Sequence, residues 1–414
     1  MRRLLIAVMV LLFGSTAFAS GFAVKDQGTK AMSLANAFTG VADDTTAAWY
    51  NPAALVFQDG ISITGGGQFV MPTVDYTAPN GTGYSMDKKN HLIPFAYVNY
   101  KMEDAPIAFG LAVNAPFGLS TDWTQSGAPF SKLLNPGVVE SSLTFAEIKM
   151  VNVNPSVAYQ INDNLSVAAG VMYFDVTKVA FDNAAVSQRG SGNGWGGNAA
   201  IFYKSDSFNA GLTYRSRVKV DVSGTATGIS GLTSIGAGAL IGSTTTVNTS
   251  FTTPDMVSGG ISFHPIESVL VSAQVDWVNW KTFDKLVFNY GASALTTNVI
   301  RASTKTVQEN WKSTTSFSLG TEWSFQKDMH LRAGYAFDPS PVSDVEFSPR
   351  ITDNDRHFFT VGYGQDFSAG TLNLAYGYIL VNTVNQTASV AARQRNGTYK
   401  SNLHIVSADY TLRF

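Results

Sequence analysis

The side chains that could catalyse a reaction or hold a metal ion are few and scattered. The histidines show no metal-ligand spacing such as HExxH; they are His91, His264, His330, His357 and His404. The chain has no cysteine, which excludes a thiolate metal site and a disulfide framework. A Ser–His hydrolase needs a nucleophile beside a base, and no sequence signature brings such a pair together. The sequence therefore predicts a protein that is not an enzyme and that uses no metal or other cofactor.

Cations at alternate positions of one predicted strand are better candidates for chemistry. Between residues 208 and 222, alternation places Arg215, Arg217 and Lys219 on one face and apolar side chains on the other. An Arg or Lys inside the protein could bind a substrate carboxylate, and Arg215 is the first candidate, before Lys219. The alternative is a structural ion network with acidic side chains, namely Asp221, Glu140 or Glu322.

The N-terminus has the features of an export signal. Arg2 and Arg3 precede an apolar run at residues 4–13, and Ala17-Phe18-Ala19 forms a small-residue cleavage site. The run is much shorter than the roughly 20 apolar residues that a membrane-spanning helix needs. We therefore expect residues 1–19 to be a signal peptide that is removed, so that the mature chain starts at Ser20.

Charge and composition exclude nucleic acid as a partner and favour a sheet protein. The 28 Lys and Arg residues balance 30 Asp and Glu residues, so the chain has no basic field. Its 37 Gly, 27 Phe and 16 Tyr residues suit a twisted sheet with aromatic girdles. The mean hydropathy of +0.04 is near neutral, as expected for membrane-spanning strands that turn only every other side chain to lipid.

Alternating apolar and polar residues predict strands along most of the chain. The last ten residues show it most clearly, with one apolar face formed by Val406, Ala408, Tyr410, Leu412 and Phe414. Similar segments begin near Ile61, His91, Pro106, Leu143, Asn164, Trp195, Phe208, Phe251, Ser268, Thr314, Met329, His357, Thr371 and Ser401. The count of about 14 is even, as single-chain bacterial barrels require. Residues 60–414 are thus predicted to form an all-β transmembrane antiparallel barrel.

The connections between these strands predict the orientation of the barrel. Tight turns at 162–164, 205–207, 326–328 and 367–370 alternate with long connections. Short turns belong on the periplasmic side, so both termini should be periplasmic, in the outer membrane of a Gram-negative bacterium. The predicted outer loops are 75–90, 120–142, 183–194, 224–248, 291–310, 338–355 and 382–400.

Two of these loops carry apolar residues that could capture a hydrophobic compound. The first holds Trp123, Phe130, Leu133 and Leu134, and the second holds Leu232, Ile235 and Leu240. Apolar side chains on a water-facing surface often mark a binding site. The alternative is that they pack on each other or on the barrel mouth, or contact lipopolysaccharide.

Residues 20–59 do not alternate and precede the first strand. They are rich in Ala, Thr and Asp, and Asn51-Pro52-Ala53 has the features of a helix start, with Asn51 as the N-cap and Pro52 at the first helical position. A segment of this length is too long for a leader, and it is predicted to be a hatch that plugs the barrel lumen.

Several motifs in order resemble one known family. They are Ser20-Gly21-Phe22, Asn51-Pro52-Ala53, Asn114-Ala115-Pro116-Phe117-Gly118-Leu119, Tyr214-Arg215-Ser216-Arg217-Val218-Lys219-Val220-Asp221 and the terminal Phe414. Together they are similar to the FadL/TodX outer-membrane transporters of long-chain fatty acids and other hydrophobic compounds. The resemblance implies a 14-stranded barrel with an N-terminal hatch, capture of the substrate outside, an internal pocket, and release through the barrel wall. It also implies that Phe22 contacts substrate.

The wall opening would lie at an inward kink of the third strand, by this resemblance. Its residues are Ala115, Pro116, Phe117 and Gly118, and Asn51, Pro52 and Ala53 are assigned to the hatch beside them. Proline lacks the N–H that a strand ladder needs, and glycine adds flexibility. The alternatives are a bulge that merely ends the strand, and an ordinary capped turn at Asn51 that holds the hatch in place.

The sequence thus predicts a monomeric, passive transporter of hydrophobic small molecules, most readily long-chain fatty acids. Aromatic or aliphatic hydrocarbons are the first alternative substrates, and a general porin or an adhesin is the alternative from another class. The other expected partners are outer-membrane lipid and lipopolysaccharide, and the barrel-assembly machinery through Phe414.

Overall fold

The computed structural model describes residues 21–131, 144–387 and 395–414. The predicted signal peptide, Leu133, Leu134 and Glu140 lie outside these ranges. One antiparallel sheet contains the following strands: β1 Ile61–Thr77, β2 Gly83–Ser85, β3 His91–Lys101, β4 Ile107–Asn114, β5 Gly118–Asp122, β6 Phe145–Gln160, β7 Leu165–Asp182, β8 Val186–Lys204, β9 Phe208–Arg215, β10 Lys219–Gly228, β11 Thr244–Thr252, β12 Met256–Ile266, β13 Val269–Val278, β14 Lys285–Tyr290, β15 Thr304–Gln308, β16 Thr314–Gln326, β17 Met329–Asp338, β18 Arg356–Phe367, β19 Gly370–Val381, β20 Val384–Gln386 and β21 Gly397–Arg413.

The sheet closes into a barrel because β1 pairs with β21 along its whole length, from Ser62 opposite Arg413 to Thr77 opposite Thr398. Five positions of the barrel hold two consecutive segments each: β4 and β5, β9 and β10, β11 and β12, β13 and β14, β15 and β16. The short β2 and β20 only extend the outer rim. The barrel therefore has 14 strand positions, and the predicted fold is confirmed.

Side chains alternate between the lumen and the outer surface, as the sequence pattern predicts. In β21, Ser407, Asp409 and Thr411 are buried while Val406 and Leu412 are exposed. Exposed apolar side chains recur around the barrel and include Phe69, Phe109, Val157, Ile201, Leu212, Ile261, Phe317, Leu319, Val361 and Leu374. They form the apolar outer surface that a lipid-facing barrel requires.

The segment before β1 fills the lumen. It contains helix α1 (Thr29–Ser33), helix α2 (Ala47–Tyr50) and a 3-10 helix (Pro52–Phe57). Helix α1 packs on β18, β19 and β21, and the 3-10 helix packs on the opposite side against β4, β6, β7 and β8. None of the described helices is long and apolar enough to cross a membrane. We call residues 21–57 the hatch.

Glycines in the wall allow the hatch to lie this close. A Cβ added at Gly211 would lie 2.1 Å from the carbonyl oxygen of Thr39, and one added at Gly334 would lie 2.5 Å from the carbonyl carbon of Leu34. Any larger residue would push the hatch away, because the neighbouring atoms are backbone and cannot rotate aside.

The predicted outer loop at 183–194 is wrong. Strand β8 already begins at Val186, and the connection to β7 is confined to residues 183–185. Glycine and polar residues such as Gly190 and Gly192 suggested a loop, but this part of β8 pairs with β10. A Cβ at Gly192 would lie 2.1 Å from the carbonyl oxygen of Asp221, so glycine here permits close strand pairing.

Candidate substrate chamber and hatch

An apolar cavity lies in the outer half of the barrel. We call it the chamber. Strands β5–β7 form one side and β11 and β14 the other. Its lining residues are Phe22, Leu119, Ala146, Ile148, Val179, Ala180, Phe181, Thr249, Phe251, Phe283, Leu286, Phe288, Glu309, Ser348, Arg350 and Ile351. A pocket with this lining suits a small hydrophobic ligand, because such sites are mostly apolar with a few placed polar groups.

The floor of the chamber is an aromatic cluster centred on Phe22, a predicted substrate contact. The Phe22 ring is fully buried and lies 4.9 Å from Trp280, 5.1 Å from Phe283 and 5.7 Å from Trp311 between ring centroids. Trp280 and Trp311 went unrecognised in the sequence because each sits between two strand segments, where alternation gives no signal. The cluster separates the chamber from the rest of the lumen.

The polar end of the chamber is an ion pair that sequence reasoning missed. Arg350 Nη2 lies 3.4 Å from Glu309 Oε1, and both residues are buried. Arg350 also donates from Nε to Ser348 Oγ at 2.9 Å and stacks on the Phe181 ring at 4.1 Å. Burial raises the pKa of Glu309 and lowers the pKa of Arg350, because both charged forms lose water.

A more polar cavity adjoins the chamber, and we call it the vestibule. It shares Phe181, Phe288 and Arg350 with the chamber and is also lined by Lys305 and Arg395. Burial lowers the pKa of Arg395 to about 10, which leaves it charged at neutral pH. Three cations therefore lie along the route from the vestibule to the chamber.

The predicted kink residues lie against the hatch. The Val24 N–H donates to the Pro116 carbonyl and the Gly118 N–H donates to the Phe22 carbonyl, each at 2.8 Å. Strand β3 pairs with β4 only from Ala96 to Lys101, and β5 pairs with β6. The third barrel strand thus leaves its neighbour β3 at 115–117 and pairs with the hatch there, where Phe117 opposes Ala23.

Gln27 joins the hatch to this kink, although nothing in the sequence singled it out. Its side-chain Nε2 donates to the Ala115 carbonyl at 3.1 Å, and its Oε1 accepts from the Ala115 N–H at 3.2 Å. The Tyr97 hydroxyl and the Tyr50 hydroxyl bond the Gln27 backbone. A glutamine can replace a strand partner in this way because its amide offers one donor and one acceptor, as a backbone does.

Asn51, Pro52 and Ala53 form a capped helix start. Asn51 Oδ1 accepts from the Ala53 N–H at 3.2 Å, and its Nδ2 donates to the carbonyls of Thr39 and Ile201 at 3.1 and 3.2 Å. The Ala53 carbonyl accepts from the Ser166 hydroxyl at 2.6 Å. These bonds anchor the hatch to β7 and β8, so the motif supports the hatch.

The two predicted carboxylate-binding cations lie on different sides of the wall. Arg215 is buried in the lumen with its guanidinium 3.9 Å from the Trp49 ring centroid. Lys219 is exposed on the outer surface and pairs with Asp221 at 2.8 Å. The predicted lumenal position of Lys219 is wrong because the strand is interrupted at 216–218, and the alternation restarts in the opposite phase.

The predicted capture residues are buried or partly buried and are not fully exposed to solvent. Trp123 and Phe130 are buried with Tyr76 and Tyr399 in an aromatic cluster at the mouth, and Trp123 Nε1 donates to the Pro349 carbonyl at 3.0 Å. In the second loop, Leu232 is buried in a separate cluster with Val247 and Phe288, and Ile235 and Leu240 are partly buried against that cluster. The expectation of an exposed apolar surface is therefore wrong for these five residues, because the loops fold onto the barrel mouth.

Histidine and serine do meet at one place. A hydrogen bond of 2.9 Å joins Ser324 Oγ to His330 Nδ1, and another of 2.9 Å joins His330 Nε2 to Asp366 Oδ2. These residues lie on β16, β17 and β18 near the short turns and tie the three strands together. No group of side chains in the described ranges has the arrangement of a metal site.

A 14-stranded barrel with an apolar outer surface, a plugged lumen and an apolar chamber defines an outer-membrane transport barrel for hydrophobic compounds. The chain belongs to the family of outer membrane protein transport proteins (OMPP1/FadL/TodX), whose model matches residues 10–414. It is therefore a transporter of the outer membrane and not an enzyme. This confirms the family, the location and the absence of catalysis that the sequence predicts.

Curated relatives and solved structures agree with this assignment. The chain is 25% identical to a long-chain fatty acid transport protein of Escherichia coli O6:H1, over 88% of this chain and 87% of that protein. It is 23% identical to outer membrane protein P1 of Haemophilus influenzae, over 91% and 89%. Its fold resembles a Pseudomonas aeruginosa FadL homologue (TM-score 0.77, 18% identity, 95% and 100% covered) and the Pseudomonas putida toluene transporter TodX (TM-score 0.66, 16% identity, 97% and 99% covered).

Proposed function

We propose that the protein carries long-chain fatty acids inward across the outer membrane. The supporting observation is the Arg350–Glu309 ion pair in the wall of an otherwise apolar chamber. Such a chamber can hold an acyl chain while the guanidinium binds the carboxylate in place of Glu309. Curated relatives named as long-chain fatty acid transport proteins support the same substrate class.

Capture begins at the vestibule in this proposal, in place of the loops that the sequence suggested. Lys305 and Arg395 face the entrance, and Arg350 stands where the vestibule meets the chamber. A concave site lined by charges of one sign concentrates ions of the opposite sign. The fatty acid would enter with its carboxylate attracted by these cations and its chain directed into the chamber.

Release proceeds sideways through the wall, beside the kink at 115–117. A fatty acid gains about 0.8 kcal/mol per CH₂ by staying out of water, so a wet route to the periplasm would be costly. The pairing between β3 and the third strand ends at Ala96, which leaves His91–Phe95 opposite the hatch-bound kink. Movement of Phe22 and its hydrogen-bonded neighbours would connect the chamber to that place.

Hydrocarbon transport is the second candidate, and one observation favours it. Glu309 neutralises Arg350, so the chamber presents an apolar surface with no net charge. A toluene molecule would need no cation. The solved structure of a toluene transporter shares the fold, which by itself does not decide the substrate.

The remaining partners are also proposals. We infer that the protein works as a monomer and that its outer aromatic rim contacts lipopolysaccharide. At that rim Tyr335 bonds His357 Nδ1 at 2.9 Å and Tyr376 bonds His404 Nδ1 at 2.7 Å, which fixes amphipathic rings on the outer surface. Phe414 is 74% exposed at the end of β21, where the assembly machinery could bind it.

The test is uptake of radiolabelled oleate, with toluene in parallel, by cells that lack their own hydrophobic transporter and express this chain. We expect oleate uptake that falls about tenfold in Arg350→Gln, because the carboxylate loses its charged partner. Glu309→Gln should strengthen oleate binding a few-fold, because the competing carboxylate is gone. Toluene uptake should be unchanged in both.

Acidification provides a second measurement on the same pair. Because burial raises the pKa of Glu309, this carboxyl takes up a proton at a higher pH than an ordinary glutamate, and its attraction for Arg350 is lost as pH falls. Binding of an alkyl sulfonate, which stays ionised, should therefore strengthen below neutral pH in the wild type but not in Glu309→Gln. In the uptake test, uptake of toluene without oleate would mean that the substrates are hydrocarbons and not fatty acids. Uptake of neither compound by an assembled barrel would favour a porin or an adhesin.

A further inference from the structure

A third cavity contains a buried cation that forms no salt bridge with any described residue. Arg215, at the end of β9, is 6% exposed and stacks on Trp49 of the hatch at 3.9 Å. Its Nε and Nη2 atoms have no hydrogen-bond partner in the described part of the chain. This cation differs from Arg350, which is paired with Glu309.

Asp276 supplies the carboxylate among the lining residues of this cavity, and it is engaged elsewhere. Asp276 accepts from Gln274 Nε2 at 2.7 Å and lies 3.8 Å from Lys25 Nζ, and Lys25 is held more closely by Asp338 at 3.0 Å. A cation–π contact offsets only a small part of the free energy lost when an ion is taken out of water. The guanidinium therefore lacks the compensation that a buried cation usually has, and a bound anion would supply it.

The position of the cavity connects it to the transport route. It lies between the hatch and the wall, and it is lined by Arg215, Pro116 of the kink and Val24 of the hatch. Phe22, two residues from Val24, forms the floor of the chamber. Residues 22–24 of the hatch, which bond the kink, thus have the chamber beside Phe22 and the Arg215 cavity beside Val24.

We propose that Arg215 is a second carboxylate-binding site, which receives the head group of the substrate after it passes Phe22 and holds it beside the kink while the chain leaves through the wall. The proposal rests on the function proposed above, and it adds a second site to Arg350. With a cation at each end of its path, the carboxylate exchanges one guanidinium for another and is not left unpaired in the lumen.

The test compares oleate with oleyl alcohol, which has the same chain and no charge. We expect Arg215→Gln to lower the rate of oleate uptake about tenfold and to leave oleyl alcohol uptake unchanged. Arg215→Lys should retain most oleate uptake because it keeps the charge. Lys219→Gln is the matched control, since it removes one cation from the same barrel strand on the outer surface, and it should change neither rate. Heat-modifiable migration shows that each variant is folded.

Equilibrium binding of oleate to purified protein separates the two sites. Arg215→Gln should leave the affinity of the Arg350 site for oleate within about twofold of the wild-type value, whereas Arg350→Gln should weaken that affinity. An equal fall for oleate and oleyl alcohol in Arg215→Gln would mean that Arg215 only supports the hatch through Trp49, and an unchanged oleate rate would mean that it has no role in transport. Either result overturns the proposal.

Bromide supplies a measurement that does not depend on the substrate. Crystals soaked in sodium bromide should show anomalous density at the Arg215 guanidinium, absent in Arg215→Gln. If the wild type carries neither oleate nor oleyl alcohol, the function proposed above fails, and bromide then decides whether an anion site exists. Bromide binding with an unchanged oleate rate would identify an inorganic anion site and overturn the carboxylate assignment. Absence of bromide in the wild type, together with absence of oleate transport, would overturn it as well.

Discussion

The two sides of the barrel wall differ in the continuity of their strands. On one side, β17, β18, β19, β21 and β1 pair residue by residue from rim to rim. On the other side, five barrel strands are interrupted, at residues 115–117, 216–218, 253–255, 279–284 and 309–313. Three of these five interruptions build the chamber floor, because they contain Phe117, Trp280, Phe283 and Trp311, which pack on Phe22.

At the interruptions, other groups replace the missing strand pairing. Each interruption leaves backbone groups without a strand partner, which is costly in a membrane protein unless other groups replace it. Asp255 provides such a replacement: it accepts from the Tyr214 hydroxyl at 3.0 Å and from the Arg217 N–H at 3.1 Å, and it pairs with Arg217 Nη2 at 2.7 Å. The hatch provides another at Pro116. Side chains and the hatch thus replace ladder hydrogen bonds at these interruptions.

Breaking the continuous side should have the largest effect. Phe414 exchanges backbone hydrogen bonds with Ile61, at 2.9 and 3.3 Å, where the barrel closes. Removing Phe414 should lower the amount of assembled barrel by about tenfold, because the closing strand loses its last pair and its exposed terminal aromatic. Heat-modifiable barrel in outer-membrane fractions is the measurement. Removing the exposed Val345 side chain, as Val345→Ala, is the control, and normal assembly without Phe414 would contradict the prediction.

Repairing the interrupted side should abolish uptake but spare folding. Deleting residues 116–118 would join β4 to β5 and allow the third strand to stay in the wall beside β3. We expect oleate uptake to fall to background, because the lateral route closes, with normal levels of heat-modifiable barrel. Pro155→Ala in β6 is the matched control, since it alters a proline in the neighbouring strand. Unchanged oleate uptake after the deletion would contradict release of the substrate through the barrel wall.

Loosening the hatch at the interruption should have the smallest effect. Gln27→Ala removes two neutral hydrogen bonds to Ala115, each worth about 0.7 kcal/mol, so the kink should separate from the hatch about tenfold more often. Faster uptake at low oleate concentration is the expected result. Gln58→Ala is the control, because Gln58 bonds the hatch carbonyls of Ala42 and Asp44 instead. A rate equal to that of the control would show that Gln27 does not limit opening.

Much of the fold was predictable, because the signals are local. Strand alternation has a period of two residues, so 14 strand positions could be counted from the sequence. The prediction failed where the ladder breaks or where glycine occupies a strand: Lys219 faces outward after the break at 216–218, and residues 186–194 form a strand with a glycine-rich sequence. Trp123 and Phe130 were predicted to be exposed because a loop sequence does not show what the loop packs on.

The class of protein could be predicted from the sequence, since the predicted export signal, the alternation and the even strand number depend on residues near one another in the chain. The sequence also identified Phe22, the kink and Arg215 as residues of interest. The contacts of Phe22, the kink and Arg215 became visible only in the tertiary structure. Arg350 lies in the connection between β17 and β18 and Glu309 in the interruption between β15 and β16, and Gln27 of the hatch bonds Ala115 of the kink. These contacts arise when the barrel closes around the hatch, because closure brings together residues that are distant in sequence and carry no shared local pattern.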